Sequence, residues 1–232
     1  MVGAFKLVKN YSLSEVVALS KIYESENIFY LKSNTNRLRK ALFHYEIYKK
    51  ISNISGDIFE FGVFRGCSLI RFATYRDLFR KNFKSKIYGF DDFGKFTQQS
   101  RKKDKIFIKR WKRDLQKNSK SDSGISVKEL KLIIKKKKFK NINLIKGNII
   151  ETLPKFIKFK KNLKISLLHI DLDVYGPTLF TLERLYNKVC KGGVILIDDY
   201  GIASGVTEAV NKFKKIKKIK IRKFGNLSYF KI

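Results

Sequence analysis

Two short acidic runs carry the most pointed chemistry in this 232-residue chain. The first is His169-Ile170-Asp171-Leu172-Asp173 and the second Ile197-Asp198-Asp199-Tyr200-Gly201. Each closes an apolar stretch, Leu163–Ile170 and Val194–Ile197, of the kind that forms a strand; the first is nearly all apolar, as in a strand buried on both faces. Side chains two apart on a strand share a face, which puts Asp171 and Asp173 together, about 6.6 Å apart along it. If the two strands are neighbours, four carboxylates gather at one rim of a sheet. Their repulsion then needs a proton, a cation or strong hydrogen bonding. An all-oxygen set suits a hard cation, Mg²⁺ more than Zn²⁺. His169, between apolar neighbours, reads as a hydrogen-bonded core histidine rather than a base.

Further polar residues fall at other strand ends. The run Asp57–Val63 leads into Phe64-Arg65-Gly66-Cys67-Ser68. There Gly62 lets the backbone pass close to a ligand, Gly66 permits a turn, and Ser68 sits at a helix N-terminus with free amides. The spacing is not G-x-G-x-x-G, so a dinucleotide pyrophosphate is not favoured. Glu60, a carboxylate inside an apolar run, is costly to bury unless loop amides or a ligand ammonium satisfy it. The run Lys86–Phe90 ends in Asp91-Asp92, where an acidic residue commonly accepts ribose hydroxyls or caps the next segment. Cys67 and Cys190 are too few for a disulfide framework or a zinc cluster. Trp111, flanked by Arg110, Lys112 and Arg113, either stacks on a base or sugar or covers local apolar surface, and the second reading is preferred.

These residues are positioned by an alternation of elements. A helical N-terminal stretch comes first: Ser12 or Ser14 caps a helix through Ile28, and Asn34 or Asn36 caps a second with Leu38, Leu42, Tyr45, Ile47 and Tyr48. After Ser55-Gly56, strands at 57–63, 86–90, 142–145, 163–170 and 194–197 alternate with helices, among them one opened by the capping box Ser126–Glu129 and running to about Lys138. Lys191-Gly192-Gly193 stops the helix Thr178–Val189. Such alternation predicts a doubly wound α/β fold: a mostly parallel sheet with right-handed crossovers, covered on both faces. Lys217–Phe224 and Leu227–Ile232 alternate basic or polar with apolar residues around Gly225-Asn226, which predicts a closing antiparallel hairpin. Residues 1–52 read as a helical extension, a lid or dimer contact, and 53–232 as the main domain. Within the latter, a basic, low-complexity insertion at about 100–140 is expected at the surface and partly mobile.

The formal net charge is +32, from 52 basic and 20 acidic residues. Its even spread of lysine argues first for compositional bias and solubility, then for anionic small substrates or membrane surface, and last for nucleic acid. At 44% hydrophobic residues the chain has material for a core. No apolar run reaches the roughly 18 residues of a membrane span, and the N-terminus lacks a signal-peptide layout, so a cytoplasmic protein is expected.

The blocks Glu60–Ser68, Gly89-Phe90-Asp91, Lys146-Gly147-Asn148 through Glu151-Thr152-Leu153-Pro154, Asp171-Leu172-Asp173 and Ile197–Gly201, in this order, resemble the macrocin O-methyltransferase family. The resemblance runs from about Asn36 to Phe213. It implies a class I, Rossmann-like methyltransferase with seven strands, using S-adenosylmethionine and Mg²⁺ to methylate a hydroxyl of a sugar or glycosylated small molecule. It implies that Glu60, Gly62 and Ser68 hold the methionine part with Val63 beside them, that Asp91 takes the ribose, and that Asn148 lies near the adenine. Asp173, Asp198 and Asp199 would ligate the metal, with Asp171 beside the transferred methyl and Asp171 or Asp173 as the base. Asp92 departs from the small hydroxyl residue frequent in the family. A nucleic-acid methyltransferase and a non-catalytic polyanion-binding domain of the same fold are the alternatives. A homo-oligomer is compatible with the N-terminal helices.

Overall fold

The computed structural model describes residues 22–79, 85–94, 101–118, 124–224 and 227–232. Strands β1 (Asp57–Phe61), β2 (Ile87–Asp91), β3 (Ile142–Lys146), β4 (Ile165–Ile170) and β5 (Val189–Ile197) pair in parallel. Beyond β5, β7 (Leu227–Lys231) runs antiparallel and β6 (Arg222–Phe224) pairs antiparallel with it. The sheet order is β3-β2-β1-β4-β5-β7-β6, so the chain reverses its direction of winding between β1 and β4. The helices are α1 (Ile22–Lys32), α2 (Thr35–Ile51), α3 (Cys67–Phe79), α4 (Lys102–Asn118), α5 (Val127–Lys136), α6 (Ile149–Phe159), α7 (Tyr175–Leu185) and α8 (Ser204–Lys217).

Alternation of side chains along each strand sends them into two cores. On one face Ile58, Leu167 and Leu196 meet Ile47, Tyr48 and Ile51 of α2, Leu69 and Phe72 of α3, and Leu130 of α5. On the other, Phe59, Phe61, Leu168 and Ile195 meet Leu153 of α6, Leu182 and Leu185 of α7, and Val210 and Phe213 of α8. Every residue of β4 is buried, as its apolar run requires. Each such side chain contributes about 1.5–3 kcal/mol through burial.

Local signals hold where capping chemistry specifies them. Asn34 caps α2 by accepting from Arg37 N–H, and Ser126 with Glu129 forms the expected reciprocal box at α5. The expected Ser12 or Ser14 cap and the Gly225-Asn226 turn lie outside the described residues. Three expectations change. The helix expected to run to Val189 before a Lys191-Gly192-Gly193 stop ends at Leu185, and those three residues lie inside β5. The basic stretch at 101–140 contains, besides the expected α5, the helix α4, which hides an apolar stripe among its lysines: Ile108 is buried and Phe107 and Trp111 are half-buried. The strand expected from Lys217 starts only at Arg222, because α8 runs on to Lys217 and ends with Lys218 at φ 50°.

Candidate active site

Backbone hydrogen bonds continue the ladder one step past the strands. Gly62 N–H donates to Phe90 (2.9 Å), Asp171 N–H to Phe61 (2.8 Å) and Asp198 N–H to Ile170 (3.0 Å). Asp91, Gly62, Asp171 and Asp198 therefore stand in one row across β2, β1, β4 and β5, at the carboxyl edge where open α/β sheets bind ligands. Gly62 has φ +88°, and a Cβ added to it would fall 1.7 Å from the Asp171 carbonyl oxygen. The bare backbone there is a steric requirement of the row.

Side-chain direction divides the aspartates. Asp171 follows His169 by two positions and Asp198 follows Leu196 by two, so both share the strand face that packs against α2. From α2, Lys40 hydrogen-bonds Asp198, and its Nζ lies 3.8 Å from Asp171 Oδ2. Asp173 (φ 61°) and Asp199 (φ 55°) adopt left-handed backbone and leave the extended path. Asp171, Asp173 and Asp199 each offer an oxygen within 4.8 Å of the others', and His169, Asp171 and Asp198 form a second such group. The expected ligand set of Asp173, Asp198 and Asp199 is thus arranged with Asp173 and Asp199 beside Asp171, while Asp198 faces Lys40.

The electrostatics follow from that division. Burial pushes the Asp173 carboxyl up to about 7, with Asp199 and Asp198 adding repulsion. Burial and Asp198 push Asp199 up to about 6. Burial, then Asp198, raises Asp171 well above the ordinary carboxylate range. Asp198 goes the other way: burial opposes its charge, but Lys40 and a hydrogen bond from Asp171 outweigh it. Lys40 is itself held above its ordinary value, because Asp171 and Asp198 overcome the cost of burying an ammonium. Carboxylates crowded until they retain protons are the donor set a hard divalent cation fits, since the ion supplies the charge those protons supply.

The neighbouring half of the edge is built from β1 and β2. Glu60 is fully buried; its Oε1 accepts from Ser68 Oγ (2.6 Å), and its Oε2 has no hydrogen-bond partner among the described residues. Opposite it in the ladder, His169 brings Nδ1 to 3.7 Å from Oε2, and neither ring nitrogen is hydrogen-bonded among the described residues. The expected hydrogen-bonded core histidine is therefore in the core without its bonds. His44 packs edge-on to His169 and is kept neutral by burial and the nearby cations. Asp91 accepts the N–H groups of Val63 (2.7 Å) and Phe64 (2.9 Å) at Oδ2 and of Phe93 (2.7 Å) at Oδ1, which leaves Oδ1 room for one more donor. Asn148 caps α6 by accepting from Ile150 N–H (2.9 Å). The unpartnered Glu60 oxygen is the feature that fits a ligand carrying an ammonium.

Lys40 was not visible as a site residue among 52 basic ones. Its signal is periodic: Lys40, His44, Ile47, Tyr48 and Ile51 form one helical stripe, whose last four members are buried. α4 joins the two halves of the edge. Asp104 is buried against the N-terminus of α8, where a Cβ on Gly205 would meet its Oδ1 at 2.0 Å, and it pairs with Arg101 at 3.4 Å. One helical stripe further, Trp111 packs edge-on to Phe64 in the β1–α3 turn, at 5.5 Å between centroids.

The fold has close structural counterparts. The calicheamicin methyltransferase CalS11 superposes with a TM-score of 0.70 at 21% identity, covering 98% of this chain and 91% of that one. The O-methyltransferase NovP gives 0.69 at 20% identity, covering 83% and 79%. The apo structure of CalS11, described as a TDP-rhamnose 3'-O-methyltransferase of calicheamicin biosynthesis, gives 0.65 at 20%, covering 98% and 92%. At these identities the likeness establishes the class I methyltransferase fold. No curated protein sequence matches the chain significantly. The macrocin O-methyltransferase (TylF) family model matches residues 34–224, a span that takes in α2 with Lys40 and every strand-end residue described above. The chain belongs to the macrocin O-methyltransferase family and is an S-adenosylmethionine-dependent O-methyltransferase.

Proposed function

We propose that the enzyme methylates a hydroxyl of a sugar or glycosylated small molecule with the help of Mg²⁺. The observation that carries this reading is the convergence of Asp171, Asp173 and Asp199 within 4.8 Å, in the row that contains Gly62. S-adenosylmethionine supplies a methyl group on a sulfonium, poised for in-line displacement. Glu60 and the Gly62 backbone hold its methionine end, with Val63 and Ser68 lining the turn; Asp91 fixes that turn and meets the ribose, and Asn148 stands on the adenine side. A sugar hydroxyl is about as weak an acid as water, whose pKa is about 15.7, and a divalent ion held by these aspartates would supply the positive charge that stabilises a developing alkoxide.

Asp171 and Asp199, with Asp198 beyond them, provide the ion's oxygens. Asp173, beside Asp171 and Asp199, takes the acceptor's proton. This narrows the reading from family resemblance, which placed Asp173 among the ligands and left either Asp171 or Asp173 as the base. Positioning of hydroxyl against methyl supplies much of the remaining acceleration. CalS11's described substrate, a deoxysugar nucleotide, makes nucleotide-activated sugars the first acceptors to assay. Incubation with S-adenosylmethionine, TDP-rhamnose and related nucleotide sugars should release S-adenosylhomocysteine with Mg²⁺ and not with excess EDTA. Full turnover in EDTA removes the metal from the mechanism. Asp173→Asn should keep Mg²⁺ binding and lose transfer, whereas Asp199→Asn should lose both.

A further inference from the structure

The strongest unassigned feature lies at the opposite end of the sheet from the aspartates. A cavity of about 550 Å³ opens there, within the range of small-molecule sites. Its walls start at the amino-terminal edge of the parallel strands, with the end of α2, the turn before β5 and the end of α8, and continue along the side of the sheet to β7 and the start of β6, where Tyr229 and Arg222 stand level with Leu196 of β5. Lys50, Lys217, Lys218, Lys220, Arg222 and Lys231 line it, with no Asp or Glu among the lining residues. None of the six forms an ion pair among the described residues, whereas Arg101 and Lys103 at the carboxyl edge both pair with Glu208.

Two aromatic rings complete the walls. Tyr186 is half-buried and Tyr229 buried, and both face the cavity. Lys217 Nζ lies 5.3 Å from the Tyr186 ring centroid, and Lys50 Nζ lies 5.9 Å from that of Tyr229. Those contacts hold the ammonium groups at the wall without neutralising them. Six like charges around one cavity repel within about one Debye length, roughly 8–10 Å, and a bound polyanion relieves that repulsion. The concave shape favours a compact anion over a flat anionic surface or an extended strand. The pairing of dense positive charge with aromatic wall favours an anion that also carries a ring.

We propose that this pocket binds a nucleoside diphosphate or triphosphate, its phosphates among the lysines and Arg222 and its ring system against the half-buried Tyr186. The site is separate from the methyl-transfer edge. The test is calorimetric titration with UTP and with inorganic tripolyphosphate, in 150 mM NaCl with EDTA and saturating S-adenosylhomocysteine. The result expected is one UTP per chain, bound more tightly than tripolyphosphate. Lys218→Glu/Lys220→Glu/Arg222→Glu should weaken it by about tenfold or more, and Lys155→Glu/Lys158→Glu/Lys161→Glu, an equal charge change on and beside α6, by less than about threefold. Lys218→Ala/Lys220→Ala serves if the reversal variant does not fold, as judged by circular dichroism, and should weaken UTP more than the α6 variant does. Equal weakening in both sets, several weak sites per chain, or no saturable binding overturns the proposal. A 20-nucleotide single strand that binds more tightly than UTP, and is lost in the same variant, assigns the pocket to nucleic acid and overturns it as well.

Discussion

Each strand-end residue has a distinct physical duty, and the aspartates show why type alone does not reveal it. Asp198 and Asp199 are adjacent in sequence, yet one has its charge stabilised by Lys40 and the other has its charge opposed by burial and by Asp198. The pairing is invisible in a lysine-rich chain, because Lys40 sits 158 residues from Asp198. Asp173→Asn should lower transfer by about 10²–10⁴-fold, the usual contribution of a general base, with S-adenosylhomocysteine affinity retained in calorimetry. Loss of S-adenosylhomocysteine binding in that variant would contradict the division of the edge into two halves. Titration gives a second outcome. With folded values of about 7 for Asp173 and about 6 for Asp199, against an ordinary value of 3.8, the folded chain holds protons that the unfolded chain has released. Metal-free stability from these groups is therefore greatest below about pH 4 and falls as pH rises to about 7. A divalent ion replaces those protons, so the Mg²⁺-induced rise in Tm should be large at pH 8 and small at pH 5. Gly62→Ala places a Cβ at 1.7 Å from a backbone oxygen and forces strain at φ +88°, which should cost at least about 2 kcal/mol in urea unfolding.

At the scale of elements, legibility followed local rules. The five parallel strands announce themselves as short apolar runs, and the caps at Asn34 and Ser126 are set by hydrogen bonds to amides within the first turn. Ser126→Ala should lower stability by about 0.5–2 kcal/mol, measured by urea unfolding, and an unchanged midpoint would show that α5 is held by Leu130 packing alone. α4 was illegible because ten of its 17 residues are Lys, Arg or Asp, so composition masked the stripe formed by Asp104, Phe107, Ile108 and Trp111. What fixes that helix is tertiary: a buried carboxylate at another helix's N-terminus and one aromatic contact with the β1–α3 turn. Trp111→Ala should expose α4 to limited proteolysis faster than the parent chain. Equal cleavage rates would mean that the Asp104 end alone secures it.

Across the whole molecule, a +32 charge sits on a fold whose carboxyl edge gathers acid and whose amino edge gathers base. Net charge alone said nothing of that polarity, which arises only when the sheet brings distant segments to one edge. Self-repulsion on this scale should make Tm rise as NaCl goes from about 50 to 300 mM, with most of the gain at the low end, where the Debye length is longest. The central claim is that the aspartates at the ends of β4 and β5 form one ion-holding rim beside the cofactor turn. Its most direct test is anomalous scattering from a crystal grown with S-adenosylhomocysteine and Mn²⁺ in place of Mg²⁺. The account predicts a single strong peak in contact with Asp171 and Asp199 and near Asp173; a peak elsewhere, or an ordered cofactor beside a metal-free rim, contradicts it.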